Sequence, residues 1–450
     1  MNENNGTLSN KWSGDTPDAV HSQTVSERGP VLEQDSVLHE KLETFIHSKL
    51  LERPVHVKGY GAFGYFQTVH AMTAYTQLCF LQNPGQQVPV AVRFSLAVSN
   101  KGTPDTSRNV RGFATKFYTD QGVFDLVFNH IPVFPVRDAI RFPEFINALL
   151  PSPVNNLIDP ERFWSFVARA PESTTFLVHL YSDAGTVKSL RHIPGHSVNT
   201  YVWKNGQGIR TYVKYHWMPL AGVQYIDRQE AARLACENPD FAGKDLYDML
   251  NAGKTFEYGL YVQLMNPQDE SSLPYDPLDS TKVWDKRQYP LHPVGRLVLN
   301  SNPDNYMEQV EKLAFSPSNL LEGAELSDDK ILQGRANIYS DSQRRRLGPD
   351  FRKIPINHQQ NWTPDSLVTS GNGRFVEGRL VRSNIPKQDD FTQAGEYYCA
   401  LAPLQQEHLV DNLAVDLAGI SPETQNIVLG YLYQASSELA ERVARKIQTS

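Results

Sequence analysis

Between residues 88 and 300 the chain returns repeatedly to a period-two alternation of apolar and polar residues, which restricts the possible folds more than any other feature. The alternation runs through Val88–Ser95, Phe113–Tyr118, Val123–Phe128, Thr174–Leu180, Thr200–Trp203, Gly208–His216, Phe256–Leu264 and Gly295–Asn300. Polar or glycine-bearing turns separate these runs, as between strands of one sheet. So many short strands predict an antiparallel sheet that closes into a barrel. Helical spacing appears around it. Leu38, Leu42, Phe45 and Ile46 share a face from Ser36 to Leu51, and Phe142 to Phe166 reads as short helices broken by prolines. Leu409, Leu413 and Leu417 mark a tail helix. Ser421-Pro422-Glu423 caps one more, carrying Leu429, Leu432, Leu439, Val443 and Ile447. The class is α+β.

Residues 1–30 read as a polar extended arm, and the stretch from about 305 to 395 is interrupted by five prolines. Long irregular segments of that kind are functional or wrap a neighbour. The chain thus divides into an arm and first helix (1–50), a barrel (51–304), a wrapping segment with a helix (305–395) and a helical C-terminal part (396–450). A formal charge of −7 argues against a general nucleic-acid binder. No apolar run approaches the roughly 18 residues of a membrane helix. Cys79, Cys236 and Cys399 form neither a CxxC pair nor a disulfide framework. With no apolar leader visible, a cytoplasmic location is expected. Asn5-Gly6-Thr7 and Asn361-Trp362-Thr363 match the glycosylation pattern by accident on this reading.

Gly59-Tyr-Gly61-Ala-Phe-Gly64 spells G-x-G-x-x-G, but a strand-like run follows it instead of a helix, so a dinucleotide fingerprint is rejected. The glycines are read as a tight backbone path beside a ligand, with His56 at its start. A second unusual stretch is Arg335-Ala-Asn-Ile-Tyr339-Ser-Asp-Ser-Gln-Arg-Arg-Arg346-Leu-Gly348. On a helix, Arg335 and Tyr339 stand one turn apart on one face. Positive charge beside a phenol favours its anion, and tyrosine is among the few axial ligands of haem. By itself, the stretch fits a solvated, charged helix end better.

Four separated segments together resemble the monofunctional haem catalases over nearly the whole chain. Phe45 through Gly61, containing Arg53-Pro-Val55-His56, fits the family's distal-histidine signature. Val92-Arg93-Phe94-Ser95 and Phe124 through Asn129 are similar to the strands that support it, and Arg335 through Gly348 resembles the proximal segment. The resemblance implies an eight-stranded antiparallel barrel of the catalase fold. It implies disproportionation of hydrogen peroxide to water and dioxygen on haem b, through a ferryl intermediate. His56 would be the distal acid/base, Ser95 its hydrogen-bond partner, and Asn129 the donor that orients peroxide. Tyr339 would be the axial phenolate and metal ligand, with Arg335 holding it ionised and Asp329 and His216 extending the proximal network. Arg53, Arg93 and Arg346 would take the propionates, Val55 and Phe134 would line the distal pocket, and Phe142 would lie beside the haem. His130, His179 and His292 are left as structural.

The sequence departs from the family pattern at Phe128, His130 and Pro135, which are expected to crowd the distal wall. It departs also at Asn109 on the access path and at Asn337 and Ile338 behind Tyr339. Where some members bind NADPH through a histidine in Ser-His-Thr-Phe, this chain has Val198-Asn199-Thr200-Tyr201, and Gln224 stands in place of a nearby lysine. NADPH binding is therefore expected to be weak or absent. Self-association as a homotetramer is implied, with the segment Ile356–Tyr397 shortened. Three alternatives stay open: a peroxidase of the same fold, a fatty-acid hydroperoxide-converting enzyme, and a haem-binding protein without turnover. Val55, where the hydroperoxide enzymes have threonine, favours the catalase reading.

Overall fold

The computed structural model describes Thr24 and residues 35–47, 50–359 and 381–449. The expected polar arm (1–30, apart from Thr24), the sites at Asn5 and Asn361 and residues 360–380 of the wrapping segment lie outside the described residues. Helix α1 (Ser36–His47) belongs to a unit of its own, residues 1–52. Residues 53–450 form the second unit.

The second unit is built on a ring of eight antiparallel strands. These are β1 (Gly59–Thr68), β2 (Gln87–Leu96), β3 (Arg111–Thr119), β4 (Gly122–Asn129), the two-residue β5 (Gly195–His196), β7 (Arg210–Pro219), β8 (Phe256–Met265) and β9 (His292–Ser301). Strand β6 (Tyr201–Lys204) pairs with β7, and β10 (Ala324–Leu326) with β6, outside the ring. Closure comes from β1 pairing with β9 and β7 pairing with β8. Alternation works as expected. Val88, Val90, Val92 and Phe94 point one way with Phe113, Phe117, Tyr215 and Trp217 into the barrel core. The opposite face of β2, β3 and β4 carries Arg93, Ser95, Ala114 and Asn129.

The helices pack outside. They are α2 (Phe142–Leu149), α3 (Pro160–Ala168), α4 (Thr174–Tyr181), α5 (Arg228–Glu237), α6 (Phe241–Asn251), α7 (Lys330–Leu347), α8 (Thr392–Ala400), α9 (Pro403–Ala418), α10 (Pro422–Ala435) and α11 (Ser437–Thr449). Trp164, Phe176, Tyr398, Leu413 and Leu432 join their own core.

Three readings are corrected. Thr174–Leu180 is helix α4, not a strand. Thr174 through His179, and Tyr181, are all buried, so no polar residue reveals the helical period. The last tail helix is two helices, because Ser436 adopts an extended conformation and its Oγ accepts from Leu439 N at 3.3 Å. The Gly59–Gly64 glycines lie within β1 and admit protein rather than ligand: a Cβ at Gly64 would sit 1.8 Å from the Val298 carbonyl oxygen.

Lys116 and Asp125 form a wholly buried pair on the outer face of the sheet. Lys116 Nζ donates at 2.7 and 2.9 Å, and Ser316 N and Asn319 Nδ2 also donate to the same carboxylate. Lys116→Met would strand that carboxylate without its cation. The expected loss is about 3–5 kcal/mol of stability, checked by chemical denaturation; a loss below 1 kcal/mol would show that Asp125 is satisfied by its neutral donors.

Candidate functional site

The register of three strands builds the site. Ser95, Gly112 and Asn129 pair in one cross-strand row, and Arg93, Ala114 and Val127 in a row two residues away. Residues two apart share a face, so both rows look outward, about 7 Å apart along the strands.

His56 sits at the first row. Its Nδ1 lies 2.9 Å from Ser95 Oγ, and its backbone is fixed by His56 N donating to Ala97 O at 2.8 Å and by Arg93 Nη1 donating to His56 O at 2.9 Å. The residue has φ +62°, a costly region for a side chain with a Cβ, which persists where surroundings over-determine it. Gly112 leaves room for the ring, since a Cβ there would meet Ser95 Oγ at 2.6 Å and His56 Nδ1 at 2.8 Å. Burial, then the fields of Arg93, Arg335 and Arg53, pushes the His56 pKa down to about 3. The imidazole is neutral at physiological pH. Asn129, half-buried in the same row, has no side-chain hydrogen bond among the described residues, so its amide is free to donate to a ligand.

Tyr339 lies on α7 and packs with Ala91, Ala114, Val127 and Phe315. Arg335, one turn earlier, donates from Nη2 to Tyr339 Oη at 3.2 Å and to Val127 O at 2.8 Å, with its guanidinium 5.4 Å from the phenol ring centre. Burial works against the Arg335 charge, yet Tyr339 and Tyr201 outweigh it and raise its pKa. Asp329 caps α7 by accepting from Ile331 N and Leu332 N.

The sequence reading missed Asn199. It is fully buried, its Oδ1 accepts from Arg335 Nη1, and its Nδ2 donates to Asp329 Oδ2 and Ser280 Oγ, both at 2.9 Å. Asn199 therefore links Arg335 to Asp329, a role expected of His216. His216 instead bonds His196 Nδ1 at 2.8 Å and Gln263 Oε1 at 3.0 Å, and is not joined to Arg335. Only the positive φ of the preceding Val198 (+62°) betrays the constraint, and sequence does not show it.

Arg53, Arg93 and Arg346 gather around one buried carboxylate, Glu311. Arg53 Nη1 is 3.1 Å and Arg346 Nη1 4.0 Å from its Oε1. Burial acts to raise the Glu311 pKa, but Arg53, Arg93 and Arg346 outweigh it and hold it low. Burial and mutual repulsion lower Arg53 and press Arg346 to about 10. Three guanidinium charges against one carboxylate leave two positive charges in excess. Arg93 Nε and Arg346 Nε are buried without an acceptor among the described residues, an unusual state for strong donors. A ligand with two carboxylates that reached His56 and Tyr339 would answer the excess charge and meet both groups. Haem is such a ligand, so the residues present fit it.

Phe134 and Phe142 stack on each other at 5.8 Å, with Phe134 half-buried against the helical core. Val55 is half-buried beside His56 in the chain. The expected crowding by Phe128 and His130 does not occur. Phe128 points into the barrel core, and His130 turns away, accepting from Arg111 N at 2.9 Å and donating to Ala184 O at 2.7 Å. Pro135 is buried, and its carbonyl accepts from Ser173 Oγ. Asn109 holds the Val98 backbone.

A family model for catalase matches residues 10–382. The chain belongs to the catalase family. A further model, described as catalase-related immune-responsive, matches residues 384–447. The chain is 38% identical to catalase isozyme A of Oryza sativa subsp. indica, covering 94% of this chain and 92% of the relative, and 39% identical to a catalase of Pisum sativum over the same shares. It superposes on catalase A from Saccharomyces cerevisiae with TM-score 0.89 at 32% identity, covering 95% and 96% of the two chains. A bacterial catalase gives 0.92 at 33% identity, covering 98% and 97%. The protein is thus an oxidoreductase whose reaction is decomposition of hydrogen peroxide. No helix among the described residues of this catalase is long and apolar enough to cross a membrane.

The buried histidines give the enzyme an acid limit. Burial lowers His56, His130, His179 and His216 each to about 3. Unfolded, each takes a proton near pH 6.5, so their contribution to stability is complete above that pH and is lost as pH falls towards 3. Asp125 and Asp329, raised by burial, run the other way but are two groups against these four and His196, which burial also lowers. The apparent Tm is expected to fall by at least about 5 °C between pH 7 and 4. A flat profile by scanning calorimetry would contradict this.

Proposed function

We propose that this catalase holds haem b between His56 and Tyr339 and decomposes hydrogen peroxide there. The observation that carries the reading is the paired geometry on one sheet face: neutral His56, fixed by Ser95 in the row of Asn129, and Tyr339 Oη receiving Arg335 two residues further along. Arg53, Arg93 and Arg346 would hold the two propionates, and Tyr339 Oη the iron. When bound, haem supplies the redox chemistry, accepting oxidising equivalents from one peroxide and returning them to a second.

The protein's own groups manage protons and position. Neutral His56 takes the proton from one peroxide oxygen at Nε2 and returns it to the other, while Ser95 fixes the ring through Nδ1. Asn129 Nδ2 donates to the oxygen on which charge develops. Arg335 stabilises negative charge on Tyr339 Oη by hydrogen bond and proximity. Half-buried Val55 and Phe134 give the access side an apolar character that disfavours bulky polar reductants. Asn199, buried and committed to Arg335 and Asp329, supports the reading that NADPH is not bound through this stretch. Self-association as a homotetramer belongs to the same proposal.

The test joins two measurements on the purified protein: its visible absorption spectrum and oxygen release from hydrogen peroxide at an electrode. A haem spectrum with rapid oxygen release is expected. Loaded haem without oxygen release would overturn the reading and leave the three alternatives: a peroxidase, a hydroperoxide-converting enzyme or a haem-binding protein without turnover.

A further inference from the structure

The row that holds Ser95, Gly112 and Asn129 continues beyond β4. Asn129 pairs with His196 of β5, and His196 pairs with His216 of β7. Paired residues of antiparallel strands share a face, so both imidazoles look outward with Asn129.

Hydrogen bonds fix which nitrogen of each ring carries the proton. Gln263 Nε2 donates to Trp284 O at 3.3 Å and to Tyr289 O at 2.6 Å, which leaves Oε1 as the end turned to His216. An amide oxygen only accepts, so His216 Nε2, 3.0 Å away, carries a hydrogen. Burial, then the fields of Lys286 and Lys214, pushes the His216 pKa down to about 3. Burial, then His216, Lys286, His130 and His179, holds His196 well below its ordinary value. Both rings are therefore neutral at physiological pH, with one hydrogen each. His216 Nδ1 is then an acceptor, and the 2.8 Å contact is a donation from His196 Nδ1. This leaves His196 Nε2 as a lone pair with no hydrogen bond among the described residues. The two nitrogens of an imidazole point well apart, and β5 lies between β7 and β4. With Nδ1 turned to β7, Nε2 turns to the β4 side, where Asn129 stands. Paired Cβ atoms lie roughly 4.5–5.5 Å apart, within reach of one hydrogen bond.

We propose that His196 is a positioning residue for Asn129: on the reading of the site given above, its bare Nε2 accepts one Asn129 Nδ2 hydrogen when a ligand is bound and leaves the other for that ligand. The two ends of an amide are nearly alike in shape, and no other side-chain bond among the described residues selects one for Asn129. A bare nitrogen repels the oxygen end and takes the nitrogen end. Bonds of this kind are often long until the ligand arrives.

The experiment uses the full-length, haem-loaded protein with cyanide as probe, read by the infrared C–N stretch of the complex and by cyanide affinity. Asn129→Ala is expected to shift the stretch. His196→Asn keeps a donor beside His216 Nδ1 and removes the acceptor at Nε2. It is expected to shift the stretch the same way, and to weaken cyanide binding and slow oxygen release about three- to ten-fold. Added to Asn129→Ala, it should change nothing further. His196→Gln, which restores an acceptor at that reach, should recover most of the loss. Haem content and circular dichroism control for folding. A parent protein without haem, or no shift in Asn129→Ala, defeats the reading of the site and the proposal with it. A shift in Asn129→Ala that His196→Asn does not share overturns the proposal alone, as does an effect of His196→Asn that persists without Asn129, or no recovery in His196→Gln. Failure of both His196 variants to load haem overturns it too, because positioning one amide does not hold the fold together.

Discussion

Replacing His56 by alanine is expected to lower oxygen release from hydrogen peroxide by about 10²–10⁴-fold, the usual worth of a positioned acid/base. The imidazole suits that task because it stays neutral: burial and three nearby guanidiniums hold its pKa near 3. An imidazolium could only donate, whereas the reaction needs a group that first accepts a proton and then gives it back. Ser95 Oγ at 2.9 Å fixes one nitrogen, and the strained backbone at φ +62° aims the other. Alanine removes the proton carrier without enlarging the residue, so the cofactor should remain bound. Haem content and near-ultraviolet circular dichroism of His56→Ala are the controls, and a loaded, folded variant with undiminished oxygen release would remove His56 from the mechanism. Gly112→Ala should mimic part of the loss, because its Cβ would push the ring away from Ser95.

Tyr339→Phe is expected to weaken haem retention by at least about 10–100-fold, since even outer residues of metal sites are worth that much. The substitution deletes one oxygen and leaves Arg335 Nη2 with only the Val127 carbonyl. The ring still fills its place among Ala91, Ala114 and Phe315, so folding should survive. The readouts are haem content after gel filtration and the position of the ferric absorption bands. If both match the parent protein, Tyr339 is not the axial ligand. Asn199→Ala should give a weaker version of the same change, by releasing Arg335 from Asp329.

The barrel strands were readable from sequence wherever one face met the core and the other did not, as in Val88–Ser95. Helix α4 was not, because it is buried on nearly every side and its apolar run carries no period. The pairing of His56 with Ser95 became legible through resemblance. Its physical cause is that Ser95, Gly112 and Asn129 fall in one row across three strands, a matter of register that no single segment contains. Asn199 stayed hidden for a related reason. Its role depends on a turn through Val198 that brings it under α7, and nothing in Val198-Asn199-Thr200-Tyr201 announces a left-handed valine. His216 was placed in the proximal network by resemblance alone, and the register of β7 against β5 instead sets it opposite His196.

The closure of the ring also dictates the order of events during synthesis. Strand β1 finds one partner at once in β2, but its other edge pairs with β9, Phe63 opposite Ser301. At about 5–20 residues per second, the ribosome leaves that edge open for on the order of ten seconds or more. Contacts so distant in sequence slow folding and expose the nascent sheet to wrong partners. Arg53 and His56 emerge early and Arg346 near the end, so the nascent chain has no complete carboxylate clamp to offer. On the proposed reading, cofactor capture therefore waits until Arg346 has emerged, and the β1 edge stays open on that side until residue 301 has left the exit tunnel.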